Sequence, residues 1–160
     1  MTRLLVVCLG NICRSPMAEG ALRARIEAAG LGTRVTVDSC GTGDWHAGDP
    51  PDPRSIRTAA AHGVDIAGLR ARVLTGGDYT AFDVLLCADA STRGIVEARR
   101  PAAATAAIAG LLQWAGTGDG DVPDPYRGSA GDFEAVWGLV DRAAEAIVAR
   151  IGAKRAPDHA

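Results

Sequence analysis

The chain has 160 residues, of which 48% are hydrophobic, so it is long enough for a single domain around one buried core. Its formal net charge of −2 excludes the overall positive field that attracts nucleic acids or anionic membrane surfaces. No apolar run approaches the roughly 18 residues of a membrane span, and the N-terminus is too short for a signal peptide, so we expect a cytoplasmic protein without a membrane partner.

The first part of the chain switches between strand and helix patterns. Residues 3–8 form a continuous apolar run, which is typical of a buried strand in a parallel sheet. A helix is predicted over 15–30, and residues 33–39 alternate like a second strand. Residues 40–53 contain too many Gly, Pro and Asp for regular structure, and long loops of this kind tend to be functional.

The remainder of the chain continues this alternation. The predicted elements are, in order, a helix over 54–62, a buried strand over 82–87, a helix capped by Ser91, a weak strand over 106–112 and a helix over 132–150. Alternating strands and helices predict a three-layer α/β fold, in which ligands bind at the carboxyl ends of the strands. We expect one domain over 1–153 and a frayed tail over 154–160.

The loop after the first strand, CLGNICRSP, concentrates the reactive residues. Cys8 ends the strand, Arg14 follows, and Ser15 opens the predicted helix. Backbone N–H groups of such a loop converge near the positive end of the helix, which suits a tetrahedral dianion and favours the thiolate form of the cysteine. Gly10 permits a positive φ or a close backbone approach, and Asn11 tolerates a left-handed conformation. A lone cysteine is more often a buried structural residue, but these partners favour a nucleophile inside an oxyanion site.

The chain resembles the low-molecular-weight protein tyrosine phosphatases. The motif VCLGNICRSP matches the C-x5-R-S signature of that family, and the likeness continues through DSCGTGDWHAGDPPDPRS, AHGVDI, FDVLLCAD and VPDPYRG to DFEAVW. The resemblance implies a cysteine-dependent phosphomonoester hydrolase with a central four-stranded parallel sheet flanked by helices on both faces. It further implies a monomer without metal or cofactor that acts on tyrosine-phosphorylated proteins and binds phosphate, vanadate or sulfate in its active site.

The resemblance also assigns roles to individual residues. Cys8 is the nucleophile, Arg14 holds the phosphate and Asp124 is the general acid. Spacing alone would identify both Asp124 and Asp121 as ordinary turn aspartates. The phosphate-binding loop comprises Leu9, Gly10, Asn11, Ile12, Cys13, Arg14 and Ser15. The substrate pocket is lined by Trp45, Tyr126, Leu9 and Ile12. A supporting network is formed by Asn11, Ser15, Ser39 and His62, and Asp89 either orients Arg14 or caps a helix.

Two residues depart from the family, and a third has a role that the sequence leaves open. Cys40 stands where alanine is usual, and Arg127 where many members carry a second tyrosine, which puts regulation through a tyrosine pair in doubt and favours acidic substrates. Cys13 is either a packing residue or a partner for a reversible disulfide with Cys8. Cys87 is expected in the core.

Two other functions compete with the phosphatase reading. A thioredoxin-coupled arsenate reductase of this fold needs two further redox cysteines at a fixed spacing, but the positions at that spacing from Cys87 hold Thr80 and Gly94. A non-catalytic phosphate- or phosphopeptide-binding module, or a cysteinyl phosphocarrier, would not need an acid such as Asp124.

Overall fold

Four parallel strands form one sheet at the centre of the protein. The computed structural model describes residues 1–154. The strands are β1 (Thr2–Cys8), β2 (Val35–Gly41), β3 (Val84–Cys87) and β4 (Ala107–Gly110). They lie side by side in the order β2-β1-β3-β4, and every neighbouring pair is parallel. This is the predicted four-stranded sheet, with β1 in an interior position.

Helices cover both faces of the sheet. They are α1 (Arg14–Ala28), α2 (Pro53–Ala61), α3 (Asp78–Ala81), α4 (Ala90–Ala98), α5 (Leu111–Ala115) and α6 (Ala130–Ala153). Successive side chains of a strand point to opposite faces, so Leu4 and Val6 join the core beneath α1 and α6, whereas Leu5 and Val7 join a second core that includes Tyr79. The three-layer α/β architecture is therefore confirmed.

Two local predictions needed correction, and one short helix was missed. The helix α4 is capped by Asp89, whose side chain accepts a hydrogen bond from the Thr92 amide, and not by Ser91. The strand predicted over 106–112 ends at Gly110, because an apolar run of this length fits a strand or a buried helix equally well. The short helix α3 was not predicted. Of the frayed tail expected over 154–160, residues 155–160 lie outside the described residues.

The loops that carry the predicted site residues meet at one edge of the sheet. Cys8 of β1 lies opposite Gly41 of β2, and its neighbour Val7 lies opposite Cys87 of β3. The parallel arrangement therefore brings the loops that follow these strands together. Within residues 1–154, no helix is both long and apolar enough to cross a membrane.

Candidate active site

The loop predicted to bind phosphate follows the end of β1 and is hydrogen-bonded to the end of β2. Asn11 has a φ of 58°, the left-handed conformation expected for it. The amide of Thr42 donates to the Cys8 carbonyl at 3.0 Å, and the amide of Gly43 donates to the Leu9 carbonyl at 2.9 Å. A Cβ atom at Gly41 would lie 2.7 Å from the Leu9 carbonyl oxygen, so the loop packs against β2 backbone to backbone.

A hydrogen-bond network supports the sulfur of Cys8 from behind. Cys8 is buried, and its Sγ atom lies 3.0 Å from the hydroxyl oxygen of Ser15. The amide nitrogen of Asn11 donates to Ser15 Oγ at 2.7 Å and to Ser39 Oγ at 2.9 Å. The backbone N–H of Arg72 donates to Asn11 Oδ1 at 3.0 Å, which determines which end of the amide faces the serines. The structure thus brings four of the predicted site residues together.

His62 does not join this network. It caps the C-terminus of α2 before Gly63, and its ring stacks on Trp137 with centroids 5.2 Å apart and hydrogen-bonds to Glu134. In the network itself, the hydroxyl of Ser39 is bound by Glu19. Placing His62 in the network was therefore wrong, because the helix end directs its side chain toward α6 and away from the cleft.

Glu19 is a site residue that sequence reasoning missed. Its carboxylate accepts the Ser39 hydroxyl at 2.7 Å although the residue is only 2% exposed. Burial raises the pKa of Glu19, and the hydrogen bonds from Ser39 and Arg23 act against that rise. One feature of the sequence could have revealed Glu19: it is an acidic residue one helical turn after Ser15, and the neighbouring positions of the helix are apolar.

Arg14 is buried and anchored through one nitrogen of its guanidinium group. Its Nη1 atom donates to Asp89 at 2.6 Å and to the Val122 carbonyl at 3.0 Å. Burial acts to raise the pKa of Asp89, but hydrogen bonds from Arg14 and Thr92 outweigh it and hold that pKa below its usual value. Asp89 therefore serves in both of the ways that the sequence left open, as the partner of Arg14 and as the cap of α4.

Asp124 lies at the rim of the same cleft. Its Oδ2 atom is 3.7 Å from Arg14 Nη2, and its Oδ1 atom accepts the amide of Tyr126 at 3.1 Å. The side chain is 49% exposed, so water reaches it. Asp121, predicted to be a surface charge, is exposed and also accepts the amide of Ala90 at the start of α4 at 3.0 Å.

Exposed aromatic and aliphatic side chains surround the opening of the cleft. Trp45 is 68% exposed, Tyr126 47% and Leu9 42%, and these three account for all but one of the large exposed hydrophobic residues in the described chain. The cleft has a volume of about 200 Å³ and is lined by Cys8, Leu9, Gly10, Ile12, Cys13, Arg14, Trp45, His46, Asp124 and Tyr126. The sequence had not singled out His46.

Arg54 links the acid-bearing loop to the phosphate-binding loop and was also missed. Its guanidinium group lies 5.6 Å from the ring centre of Tyr126 and donates to the Tyr126 carbonyl at 2.8 Å. The same group pairs with Asp52 at 2.9 Å, and the Asp52 amide donates to the Ile12 carbonyl at 2.8 Å. Arg127 is exposed beside Tyr126.

The other three cysteines are buried and remain neutral thiols at physiological pH. Burial raises the pKa of Cys13 to about 12, with Asp52 adding to the effect, and burial likewise raises the pKa of Cys87 to about 12. The pKa of Cys40 is also raised, mainly by burial. None of the four cysteines is in a disulfide, and no cluster of metal-binding side chains is found among the 154 described residues.

Known proteins with this sequence pattern and fold carry a common description. The family model "Low molecular weight phosphotyrosine protein phosphatase" matches residues 3–156. The low molecular weight protein-tyrosine-phosphatase of Streptomyces coelicolor is 39% identical over 153 residues, which cover 93% of each chain. The crystal structure of YfkJ from Bacillus subtilis is 36% identical, has a TM-score of 0.88 and covers 97% of both chains. Vibrio vulnificus Wzb in complex with benzylphosphonate is 30% identical, has a TM-score of 0.81 and covers 93% of this chain and 98% of that one.

Proposed function

The chain belongs to the low molecular weight phosphotyrosine protein phosphatase family, and we propose that it hydrolyses phosphotyrosine and other aryl phosphate monoesters through a cysteinyl-phosphate on Cys8. One observation carries this proposal: Cys8, Arg14 and Asp124 line a single cleft whose opening is formed by Trp45 and Tyr126. A nucleophile, an anion clamp, a proton donor and an aromatic wall thus occur together.

In the first step, the Cys8 thiolate attacks phosphorus as the bond to the phenol oxygen breaks. Loop N–H groups and the guanidinium group of Arg14 hold the non-bridging oxygens. Within residues 1–154, both hydrogen bonds of the Arg14 side chain use Nη1, so the other nitrogens remain available for two phosphate oxygens. Asp124 protonates the departing phenol oxygen, which would otherwise leave as a basic phenolate, because the pKa of a phenol is about 10.

In the second step, Asp124 accepts a proton from water as that water attacks the cysteinyl-phosphate. The sulfur–phosphorus bond breaks, inorganic phosphate leaves and the Cys8 thiolate is regenerated. The exposure of Asp124 supports this role, since water must reach the carboxylate once the phenol has left. The Ser15 hydroxyl, 3.0 Å from the sulfur, stabilises the thiolate in both steps.

The walls of the cleft favour phosphotyrosine over phosphoserine. Trp45 and Tyr126 present exposed aromatic surface at the opening of the cleft, and Leu9 and Ile12 add apolar surface to its lining. A phosphoserine stem is too short to bring its phosphate to the sulfur from this rim. The benzylphosphonate bound by the Vibrio vulnificus relative, an aryl ligand with a phosphate-like group, supports this specificity.

We also propose that the protein acts as a cytoplasmic monomer on tyrosine-phosphorylated proteins, with a single domain over 1–153. Every residue of the proposed mechanism comes from one chain, so the cleft does not need a second copy. Four unpaired cysteines suit a reducing compartment. Phosphate, vanadate and sulfate are expected to occupy the position of the substrate phosphoryl group without a metal or cofactor.

The structure gives no support to the competing functions. Cys40 and Cys87 are buried on strands β2 and β3, which is unsuitable for a disulfide relay on a mobile segment. A phosphate-binding module or a phosphocarrier would not require Asp124 beside Arg14.

The proposal is tested with para-nitrophenyl phosphate. We expect phosphate release that vanadate blocks and EDTA does not affect. Cys8→Ser should abolish turnover while vanadate binding persists, whereas Cys40→Ala, which also removes a buried thiol, should retain activity. Near-normal rates for Cys8→Ser would refute the nucleophile assignment, and equal kcat/KM for phosphoserine and phosphotyrosine peptides would refute the specificity.

A further inference from the structure

The segment that carries Asp124, residues 123–128, has few attachments to the rest of the protein. This acid segment belongs to no helix or strand. In the part of the chain that the structure describes, every hydrogen bond that reaches it from outside comes from Arg54 of α2. The Nη2 atom of Arg54 donates to the Tyr126 carbonyl at 2.8 Å, and Nη1 donates to the Gly128 carbonyl at 3.5 Å. The position of the acid segment therefore depends on one side chain from another element.

Two aromatic rings contact the guanidinium group of Arg54. Its central carbon lies 4.5 Å from the ring centre of Phe133 and 5.6 Å from that of Tyr126. Phe133 is completely buried on α6, so its ring is a fixed surface, whereas Tyr126 belongs to the acid segment and to the wall of the cleft. A cation–π contact contributes about 0.5–1 kcal/mol where water still has access. Arg54 therefore joins the acid segment to the core.

The orientation of Arg54 is set by Asp52. Arg54 Nε donates to Asp52 Oδ1 at 3.0 Å and Nη2 donates to Oδ2 at 2.9 Å, and this two-point contact fixes the plane of the guanidinium group. Hydrogen bonds from Arg54 hold the pKa of Asp52 below its usual value, so the carboxylate is ionised at neutral pH. The amide of Asp52 donates to the Ile12 carbonyl at 2.8 Å. Asp52 is thus tied to the loop that follows β1.

A continuous set of contacts therefore leads from the loop after β1, through Asp52 and Arg54, to the acid segment. Within that segment, the amide of Tyr126 donates to Asp124 Oδ1 at 3.1 Å. We propose that Arg54 is a positioning residue that holds Asp124 where it can protonate the leaving group of a substrate bound at Cys8; this inference rests on the proposed role of Asp124 as the acid. Arg54 does not itself line the cleft, so its effect on the reaction is indirect.

A purely electrostatic role for Arg54 predicts a different response to substitution. Attraction of the substrate phosphate by a distant positive charge requires the charge alone, and lysine would supply it. Positioning requires the planar fork, because Arg54 binds both oxygens of Asp52 and two backbone carbonyls at once. The single ammonium nitrogen of a lysine cannot make this set of contacts. Arg54→Lys therefore distinguishes positioning from charge.

The experiment measures kcat/KM of full-chain variants for phenyl phosphate and for para-nitrophenyl phosphate. Phenol is the poorer leaving group and needs the proton more, so the ratio of the two values reports how well the acid is placed. The ratio does not depend on the concentration of active protein, so partial unfolding of a variant leaves it unchanged. We expect Arg54→Gln to lower kcat/KM about tenfold for phenyl phosphate and about threefold for para-nitrophenyl phosphate. Arg54→Lys should lower the ratio by a similar factor.

Three further variants separate positioning from general damage. Arg57→Gln removes the same charge from an exposed position on α2, so it is the matched control and should leave both rates unchanged. Adding Arg54→Gln to Asp124→Asn should leave the ratio as it is in Asp124→Asn, because no acid remains to be positioned. If Arg54→Gln does not fold, Asp52→Asn keeps an oxygen to cap α2 but replaces one acceptor of the fork by a donor. The ratio should then fall about threefold.

The inference is overturned if Arg54→Gln or Arg54→Lys keeps the ratio of the unsubstituted chain, or if Arg54→Gln lowers the ratio again in the Asp124→Asn background. Failure of the proposed function would appear differently, as turnover in Cys8→Ser or as equal losses for the two substrates in Asp124→Asn. An active chain in which Asp124→Asn lowers the ratio and Arg54→Gln does not would leave the proposed function intact and contradict the role of Arg54 alone.

Discussion

Replacing Asp89 should destabilise the fold and impair the clamp at the same time. Arg14 is 4% exposed and Asp89 20%, and the two are joined at 2.6 Å. Removing one partner of a buried pair costs about 3 kcal/mol or more, and loss of a helix cap costs about 1 kcal/mol. We therefore expect Asp89→Ala to lose about 4 kcal/mol of unfolding free energy. Asp89→Asn retains a capping oxygen and should lose about 3 kcal/mol.

Urea unfolding of the unsubstituted chain, Asp89→Ala and Asp89→Asn measures the loss of unfolding free energy. The value of kcat/KM for para-nitrophenyl phosphate measures how well Arg14 still holds the phosphate. The rate should fall at least tenfold in both variants, because Arg14 loses its orienting anion. Since folding lowers the pKa of Asp89, the stabilisation is complete above about pH 5 and is lost as the pH falls below the unfolded value of about 3.9. This reasoning is refuted if the unsubstituted chain and the two variants have unfolding free energies within about 0.5 kcal/mol of each other at pH 7. It is also refuted if the difference between the unsubstituted chain and the variants is as large at about pH 3 as at pH 7.

Three further outcomes follow from the geometry of the cleft. Asp124→Asn should slow hydrolysis of phenyl phosphate more than that of para-nitrophenyl phosphate, because the better leaving group needs less protonation; equal losses in a leaving-group series would contradict its role as acid. Gly41→Ala should reduce activity at least tenfold, since its Cβ would meet the loop carbonyl at 2.7 Å, whereas Gly32→Ala has open space and should be silent in the same assay. Because burial raises the pKa of Cys13 to about 12, mass spectrometry after iodoacetate treatment at neutral pH should find label on Cys8 and none on Cys13 until the protein is unfolded; equal labelling would disprove this.

Local spacing was sufficient to predict the strand end, tight loop and helix start over residues 8–15. A strand, a short loop and a helix N-terminus are adjacent in the chain, so the conformation of Asn11 and the approach of Ser15 to Cys8 follow from residues that are neighbours in sequence. The alternation of strands and helices likewise predicted the parallel sheet, because hydrophobic period distinguishes the two elements wherever a segment is long enough. The hydrophobic period did not reveal the helix Leu111–Ala115, because the apolar run there was too short to distinguish a helix from a strand.

Long-range contacts decided the surroundings of that loop. The sequence does not show which of Glu19 and His62 supports the loop. The packing of α1 against β2 places the Glu19 carboxylate beside Ser39. The end of α2 directs His62 toward α6 instead. Asp89 caps α4 through a near neighbour in sequence, but it meets Arg14 only because the end of β3 lies next to β1 in the sheet. The sequence by itself determined the conformation of the loop after β1 and the fold class, since both depend on near neighbours and periodicity. The tertiary structure alone decided which distant carboxylates serve that loop, because their positions depend on how the helices pack on the sheet.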